Sequence, residues 1–291
     1  MDTPLTTARI EQVMEGLRGF VDRQSQFWNP EKQASALFHY SSPEGFIGIV
    51  TSKTLWASDM LSLNDASEAS YTGALISDVL DAHHSEAPAD HRQQFKTQLT
   101  EHLFRLYMPY VACFCEGGDL LSQWRGYGNA GEGFALGFSF SWLKSLEKSG
   151  WRLQKVIYDR DQQVNLILMF LRWVSSELAK CGLPEEDHRV FWRTAAAQLA
   201  PWVTMFKNPA FQEEQEWRIV NIGPVNRLSF RRSGHRIVPY VKVPLANEAI
   251  SRVIRGPFFR GSDTRGAHLM LVSHGFVAGA HVCDSQIPIR A

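Results

Sequence analysis

The sequence predicts an α+β fold in which a single mixed, mostly antiparallel β core carries helical insertions. Strand-like stretches fall in two blocks, helical periodicity fills the segments between them, and no long linker, repeat or low-complexity tract divides the chain. The 291 residues are 44% hydrophobic, which is enough apolar material for a core without disulfide bonds. We therefore expect one domain over residues 1–291.

The first predicted elements are a helix and a strand. Apolar residues recur at helical spacing between Thr7 and Gln26, which predicts an amphipathic helix within the N-terminal segment 1–34. The stretch "ALFHYSS", residues 36–42, then reads as a strand and carries His39 after its apolar start. The β core should therefore begin near residue 36.

A short helix and a second strand precede the first helical insertion. Pro43 stands where proline favours a helix start, and residues 54–58 read as a short strand. Asn64 and Asp65 form a turn signal, and helical periodicity then predicts an insertion over residues 66–108.

The second strand block follows this insertion. "MPYVACFCE" and "GEGFALGFSF" read as buried strands on either side of the turn-rich "GGDLLSQWRGYGNAG", and "LQKVIYD" reads as a third. Residues 160–207 are helical again and form a second insertion. The remaining predicted strands are "EEQEWRIVNI", "HRIVPYVKVPL", "SRVIRGP" and "AHVCDSQIPIR", and a last helix is "SDTRGAHLMLVSHG", which ends at Gly275.

Composition excludes several classes of protein. Thirty basic and thirty acidic residues give a net charge of zero, which argues against a general nucleic-acid or membrane-surface binder. Four cysteines do not form a disulfide framework, and no apolar run reaches the roughly 20 residues that span a bilayer. The N-terminus has no basic start followed by an apolar stretch, so we expect a cytoplasmic protein with no membrane partner.

Familiar catalytic motifs are absent or misplaced. "GYGNAG" satisfies G-x-G-x-x-G, but it precedes a strand, whereas the dinucleotide signature follows a strand and opens a helix. The sequence has no Walker A, G-x-S-x-G or H-E-x-x-H motif. Cys113 and Cys115 share a strand face without a second cysteine pair, so we expect two core side chains and no metal.

A set of polar and aromatic residues remains within the strand blocks. A planar cationic or heteroaromatic ligand needs an aromatic face, hydrogen-bonding groups and an anion, and a nicotinamide nucleotide meets that description. The candidate residues are His39, Tyr40, Ser41, Asn64, Asp65, Glu68, Trp124, Tyr127, Glu214 and Glu216.

Two glutamates are the candidate catalytic carboxylates. In a strand, Glu214, Glu216 and Arg218 would share one face while Trp217 and Ile219 take the other. Cleavage of the N-glycosidic bond of NAD builds an oxocarbenium-like centre, which a carboxylate beneath it stabilises. We assign that role to Glu216, and we expect Glu214, about 6.6 Å away along the strand, to orient or deprotonate an acceptor.

Two resemblances bear on this assignment. "LFHYSS", "SKTLWASDMLSLNDASE", "CFCEGGDLLSQWRGYGNAGEGFALGF" and "FQEEQEWRIV" resemble a bacterial family known only as a domain of unknown function, from about Leu37 to the C-terminus. The order of a strand-borne histidine, a mid-chain aromatic residue and a late glutamate is similar to the H-Y-E arrangement of the ADP-ribosyltransferase superfamily. The second resemblance implies a split β-sheet, NAD as substrate, and a role as a toxin or antiphage defence effector.

The same resemblance implies roles for individual residues. His39 is expected to hydrogen-bond the adenosine ribose of NAD, while the backbone around Tyr40 and the Ser41 hydroxyl meet the carboxamide. Glu216 is the implied catalytic glutamate, and Glu214 with Glu216 is similar to the E-x-E of arginine-modifying members. The sequence departs from the family pattern in having Tyr40, not glycine, directly after the histidine, and it has no clear S-T-S.

Structural alternatives stand beside each functional role. His39 could be a buried histidine bonded to a backbone carbonyl, and Glu216 could form an ion pair with Arg125 or Arg255. Trp124 and Tyr127 suit the core as well as a ligand platform. At the level of the whole chain, the alternatives to an enzyme are a non-catalytic nucleotide- or nucleic-acid-binding module and a scaffold whose polar cluster is structural.

Two basic segments offer further candidate sites. One is a basic hairpin that could bind phosphate or lie as a solvated turn, and it contains Arg227, Arg231, Arg232, His235 and Arg236. The other is "RGPFFRGSDTRG", in which Arg255 and Arg260 precede a Ser262 helix cap and form a plausible anion site.

Overall fold

The computed structural model describes residues 35–62, 67–83, 109–198, 204–221, 228–259, 264–276 and 281–288, together with eight single positions before 35 and between 92 and 97. The fold is α+β, with one mixed, mostly antiparallel sheet of ten strands. The strands are β1 (Ala36–Ser41), β2 (Thr54–Asp59), β3 (Tyr110–Cys115), β4 (Phe134–Ser139), β5 (Arg152–Lys155), β6 (Glu216–Asn221), β7 (Ser229–Ser233), β8 (Arg236–Pro244), β9 (Ile250–Arg255) and β10 (His281–Asp284).

Seven α-helices lie within the described residues. Ser42 caps the first of them by accepting a hydrogen bond from the Gly45 amide, and Pro43 occupies its first turn, as predicted. The helices are α1 (Pro43–Ser52), α2 (Ser67–Ala82), α3 (Leu121–Gly126), α4 (Phe140–Ser145), α5 (Arg160–Cys181), α6 (Glu185–Gln198) and α7 (Arg265–Ser273).

The sheet splits at β3. One edge of β3 pairs with β6 along its whole length, from Tyr110 to Cys115. The other edge is shared, because β1 pairs with it only at Cys115 and β2 pairs with it only at Tyr110 and Val111. The strands β1 and β2 therefore diverge over the middle of β3, and each continues into its own half of the sheet.

The two halves are built on β1 and β2. On one side the order runs β1, β4, β9 and β10, and β10 is parallel to β9. On the other side it runs β2, β8 and β7, all antiparallel. Strand β5 extends the sheet beyond β6. Because α1 connects β1 to β2, this short helix lies over the gap between the halves.

Two apolar cores pack on this framework. The first buries side chains of α1, α4 and α7 with Ala112 and Phe114 of β3 and Trp217 and Ile219 of β6. The second joins α2, α5 and α6 to the segment around Met205 and Phe206, and Val13 packs against it. Residues 67–82 and 160–198 of the two predicted insertions thus supply a helical layer that covers part of the opposite sheet face.

Several sequence predictions need correction here. Glu213 and Glu214 do not belong to a strand, because a 3₁₀ helix spans Pro209–Glu214 and β6 begins only at Glu216. The segment predicted as turns contains the helix α3. The predicted basic hairpin, by contrast, is confirmed, since β7 pairs antiparallel with β8. Most of the helix predicted for residues 7–26, the turn at 64–65 and most of the helix predicted for residues 92–107 lie outside the described residues.

Candidate functional site

A cavity of about 410 Å³ occupies the gap where the sheet splits. Its walls come from the C-terminal half of β1, the exposed side of α1, the strand β2 and the middle of β3. This volume lies in the range of small-molecule sites. Predicted site residues that line the cavity are His39, Tyr40, Ser41, Glu68, Tyr127, Glu214 and Glu216, and Lys207 and Arg231 line it as well.

His39 occupies a position that the split creates. Because β1 leaves β3 after Cys115, the Cys113 carbonyl has no strand partner on that edge, and His39 Nδ1 lies 2.9 Å from its oxygen. A carbonyl only accepts, so Nδ1 carries the hydrogen. Burial lowers the pKa of His39, which favours the neutral ring and leaves Nε2 as an acceptor. His39 is therefore bonded to a backbone carbonyl, as the structural alternative predicted, and it also lines the cavity.

The two residues after His39 differ in their surroundings. The Tyr40 hydroxyl donates to the Gly117 carbonyl at 2.9 Å and accepts from the Leu120 amide at 3.0 Å, so it is occupied within the fold. Ser41 ends β1 at the cavity wall, directly before the α1 cap. Of these two side chains, Ser41 is the one whose hydroxyl is suited to a ligand.

The predicted aromatic platform is reduced to one residue. Trp124 is fully buried against Tyr40, its indole nitrogen donates to Asp119 at 2.8 Å, and it does not line the cavity. Tyr127 is 43% exposed and lines the cavity. Asn64 lies outside the described residues.

Glu216 lies in a cluster of five charged residues, which we call the ionic cluster: Glu68, Lys207, Glu214, Glu216 and Arg218. Arg218 Nε is 2.7 Å from Glu216 Oε1, and its Nη2 is 2.8 Å from Glu68 Oε2. Lys207 Nζ lies 2.6 Å from Glu214, 2.9 Å from Glu216 and 3.1 Å from Glu68. Three carboxylates thus face two cations, which leaves one excess negative charge.

Backbone contacts hold the ionic cluster in place. The Glu216 amide donates to the Tyr158 hydroxyl at 3.0 Å, and Arg218 Nη1 donates to the Thr204 carbonyl at 2.8 Å. The side chain of Gln163, on α5, donates to the Lys207 carbonyl at 2.9 Å. Glu68 comes from the first turn of α2. The ionic cluster therefore joins the helical layer to the sheet.

The two candidate carboxylates have opposite pKa shifts. Burial raises the pKa of Glu216, but Arg218 and Lys207 outweigh burial and bring it to about 2. For Glu214, burial together with the charges of Glu216 and Glu68 outweighs the effect of Lys207, so its pKa is raised. Glu216 is consequently ionised throughout the physiological range, while Glu214 is the carboxylate suited to proton transfer.

The expected geometry of this pair is corrected in two respects. Glu216 does not pair with Arg125 or Arg255; its partners are Arg218 and Lys207, and Arg255 instead binds Asp284 at 2.6 Å. Glu214 is not a strand neighbour of Glu216, because Gln215 adopts a left-handed conformation with φ 43°. Lys207 holds both carboxylates together instead.

His39 and Glu216 lie on opposite faces of the sheet. Phe38 pairs with Cys115, which pairs with Glu216, so these three share one face and His39 takes the other with Phe114. The cavity passes through the gap and is lined from both faces. The split is therefore what allows these two residues, on opposite faces of the sheet, to line the same cavity.

Acid should weaken the fold through Glu216. Its folded pKa of about 2 lies below the ordinary value of 4.5, so it stabilises the fold above pH 4.5, and this contribution is lost as pH falls through about 2. The shift corresponds to about 3 kcal/mol. Urea unfolding at stepped pH should show this loss, and Glu216→Gln should remove most of it.

The matched control for this titration is Glu213→Gln, because Glu213 is exposed and lies outside the ionic cluster. Glu214 has a raised pKa, so its contribution to the stability changes with pH in the opposite direction. The Glu214 side chain is present in wild type and in both variants. Because the charge of Glu216 itself helps to raise the pKa of Glu214, the difference between wild type and Glu216→Gln reports Glu216 together with its effect on Glu214. An unchanged pH dependence in Glu216→Gln would contradict the assignment.

Lys207 was missed by the sequence analysis, whereas Glu68 was among its candidate residues. Lys207 lies at the end of a predicted helical stretch with no local pattern to single it out. Arg218 did carry a signal, since strand alternation places it on the face of Glu216. Arg260 and Ser262, of the second basic segment, lie outside the described residues, as does Arg227.

Among the described residues, no group of three or more His, Cys, Asp or Glu side chains is placed to hold a metal ion. None of the helices described combines the length and apolar character needed to cross a bilayer.

Comparison with known proteins gives one match. The model of a family described as a protein of unknown function, DUF2971, matches residues 123–219, a third of the chain. This confirms the expected resemblance to an uncharacterised family over that segment, which contains Tyr127, Lys207, Glu214, Glu216 and Arg218. No curated protein and no solved structure matches the chain.

Proposed function

We propose that the protein is an NAD-consuming enzyme of the mono-ADP-ribosyltransferase type, which cleaves the N-glycosidic bond between nicotinamide and ribose. The observation that carries this proposal is the cavity in the split sheet, lined by His39 from one face and by the ionic cluster from the other. A neutral hydrogen-bond acceptor can bind a hydroxyl of the ribose, and an anionic cluster can stabilise the positive charge that develops on the ribose.

The chemistry follows from the ionic cluster. When the glycosidic bond breaks, its electron pair leaves with nicotinamide, and positive charge develops on the ribose carbon. Glu216 is ionised, and the cluster carries one excess negative charge, so this charge would be stabilised in a partly enclosed site. A nucleophile then adds to the same carbon, and Glu214, whose pKa is raised, accepts its proton.

His39 and Tyr127 would bind the remainder of the ligand. The Nε2 atom of neutral His39 accepts a hydrogen bond from a ribose hydroxyl, and Ser41 can donate to a carboxamide. Tyr127 presents its ring beside Glu214, with the hydroxyl 3.4 Å from that carboxylate. In this arrangement Tyr127 is the aromatic residue that contacts the nicotinamide.

Nicotinamide release from NAD tests the proposal. Wild-type protein should release nicotinamide, and Glu216→Gln should release about a hundredfold less, because the substitution keeps the shape of the side chain and removes the charge. Glu213→Gln should retain wild-type release, since its exposed carboxylate lies outside the ionic cluster. Mass spectrometry of added proteins and nucleic acids would identify an acceptor. Equal release by Glu216→Gln and wild type would refute the proposal.

One observation favours a second candidate, a non-catalytic nucleotide-binding module. Both oxygens of Glu216 already contact cations, since Oε1 meets Arg218 and Oε2 meets Lys207. In that case the ionic cluster is structural, and the cavity binds a ligand without reaction. NAD would then bind to wild type and to Glu216→Gln with similar affinity, and neither protein would release nicotinamide.

A further inference from the structure

Arg231 differs from the other basic residues around it. It lies on β7 and lines the cavity, and its Nη2 donates to the Ser58 hydroxyl at 3.2 Å. Its Nε atom is buried and has no hydrogen-bond partner among the residues that the structure describes. The neighbouring Arg232 is exposed and donates to the Gly234 carbonyl at 2.9 Å. Arg231 is therefore the member of the predicted basic hairpin that lines the cavity and has an N–H donor without an acceptor among the described residues.

The strand register places Arg231 on the sheet face of Glu216. Ser58 pairs with Val111, and Glu216 pairs with Cys115, so both side chains share the face of β3 that carries odd-numbered residues. Tyr240 pairs with both Ser58 and Ser229, which extends that face to Arg231 two residues along β7. Asp59 pairs with Tyr110 and so belongs to the opposite face.

The two ends of the cavity consequently carry opposite charges. The Ser58 row and the Glu216 row are four residues apart along β3, which corresponds to about 13 Å in the strand direction. Ser58 and Glu216 also lie on opposite edges of β3, so the distance between them is larger than this. A guanidinium lies at one end, and a cluster with one excess negative charge lies at the other. A ligand that fits both ends carries an anionic group and, several bonds away, a centre that is or becomes cationic.

An arginine with an unsatisfied buried donor is costly unless a ligand completes its hydrogen bonds. The guanidinium presents its donors in a planar fork that matches the oxygens of a phosphate. Ser58 offers a hydroxyl at the same place. These groups together form a site for a phosphate ester more readily than for a neutral sugar.

We propose that Arg231, positioned by Ser58, binds a phosphate of the ligand and makes the cavity selective for nucleotides over nucleosides. This inference rests on the proposed function, which supplies the cationic glycoside at the ionic cluster. The phosphate contact holds the ligand in one direction, so that the glycosidic bond lies at Glu216 and not at Ser58. Arg231 is thus a specificity-determining residue.

A comparison of two ligands that differ by one phosphate tests the inference. Nicotinamide mononucleotide and nicotinamide riboside would each be titrated calorimetrically into wild type, Arg231→Gln and Arg232→Gln. Wild type should bind the mononucleotide about ten- to a hundredfold more tightly than the riboside. Arg231→Gln should lose this preference and keep its affinity for the riboside, whereas Arg232→Gln should behave as wild type.

Three binding results would overturn the inference. In the first, wild type shows no preference for the phosphate or binds neither ligand. In the second, the preference persists in Arg231→Gln, and in the third, Arg231→Gln loses affinity for both ligands equally, which would assign Arg231 a structural role. Nicotinamide release, measured separately, distinguishes the two proposals. A phosphate preference without release would remove only the proposed reaction, and release that is unaffected by Arg231→Gln would remove only the phosphate site.

Discussion

Arg218→Met should destabilise the protein by about 3–5 kcal/mol, which is a large fraction of the stability of an ordinary domain. Arg218 is 1% exposed, and its guanidinium contacts Glu216, Glu68 and the Thr204 carbonyl. Without it, the buried carboxylates of Glu68 and Glu216 and the partly buried carboxylate of Glu214 would share Lys207 as their only cation within the ionic cluster. Buried charges that lose their partner carry a desolvation cost that nothing offsets.

Urea unfolding would measure this effect, with Arg252→Met as the control. Arg252 is also a strand arginine, but it is exposed, so its replacement should change the unfolding free energy by less than about 0.5 kcal/mol. The double variant Arg218→Met/Glu216→Gln should lose less stability than the sum of the two single changes, because removing Glu216's charge relieves the carboxylate excess. A loss below about 1 kcal/mol for Arg218→Met would contradict the role of the ionic cluster.

Gly48→Phe should abolish ligand binding and nicotinamide release while leaving the fold intact. Gly48 lies on the cavity side of α1, and a Cβ atom built there meets no other atom within 4 Å. A phenyl ring would therefore enter open space at the cavity wall and occupy the volume of the ligand. The helix itself gains, since glycine is the poorest helix former after proline.

Gly73→Phe is the matched control for this change. Gly73 also lies within a helix, α2, and a Cβ atom there likewise meets nothing within 4 Å, but it does not line the cavity. Both variants should melt at or slightly above the wild-type temperature, and only Gly48→Phe should lose nicotinamide release and calorimetric binding of NAD. If Gly48→Phe retains full activity, the reaction does not take place in this cavity.

Local periodicity was sufficient for most elements of the sheet. The pattern of side chains predicted β1, β3, β4, β8 and β9 close to their observed bounds, because each strand is short, apolar on at least one face and bounded by turn residues. The last strand was predicted too long, since β10 ends at Asp284. Alternation of side chains also placed Glu216 and Arg218 on one face, which the ion pair confirms. The error at Glu214 came from Gln215, whose left-handed backbone ends the alternation one residue before β6.

The sequence by itself thus determined most of the secondary structure, the α+β class and the candidate residues His39, Glu214 and Glu216. Only the tertiary structure decided that β1 and β2 share one edge of β3 and leave a cavity between them, since strand order depends on contacts between distant segments. The ionic cluster has the same origin, because Arg218 meets Glu68 across 150 residues. No local pattern encodes such a contact, and burial then sets the pKa values of the carboxylates that the contact brings together.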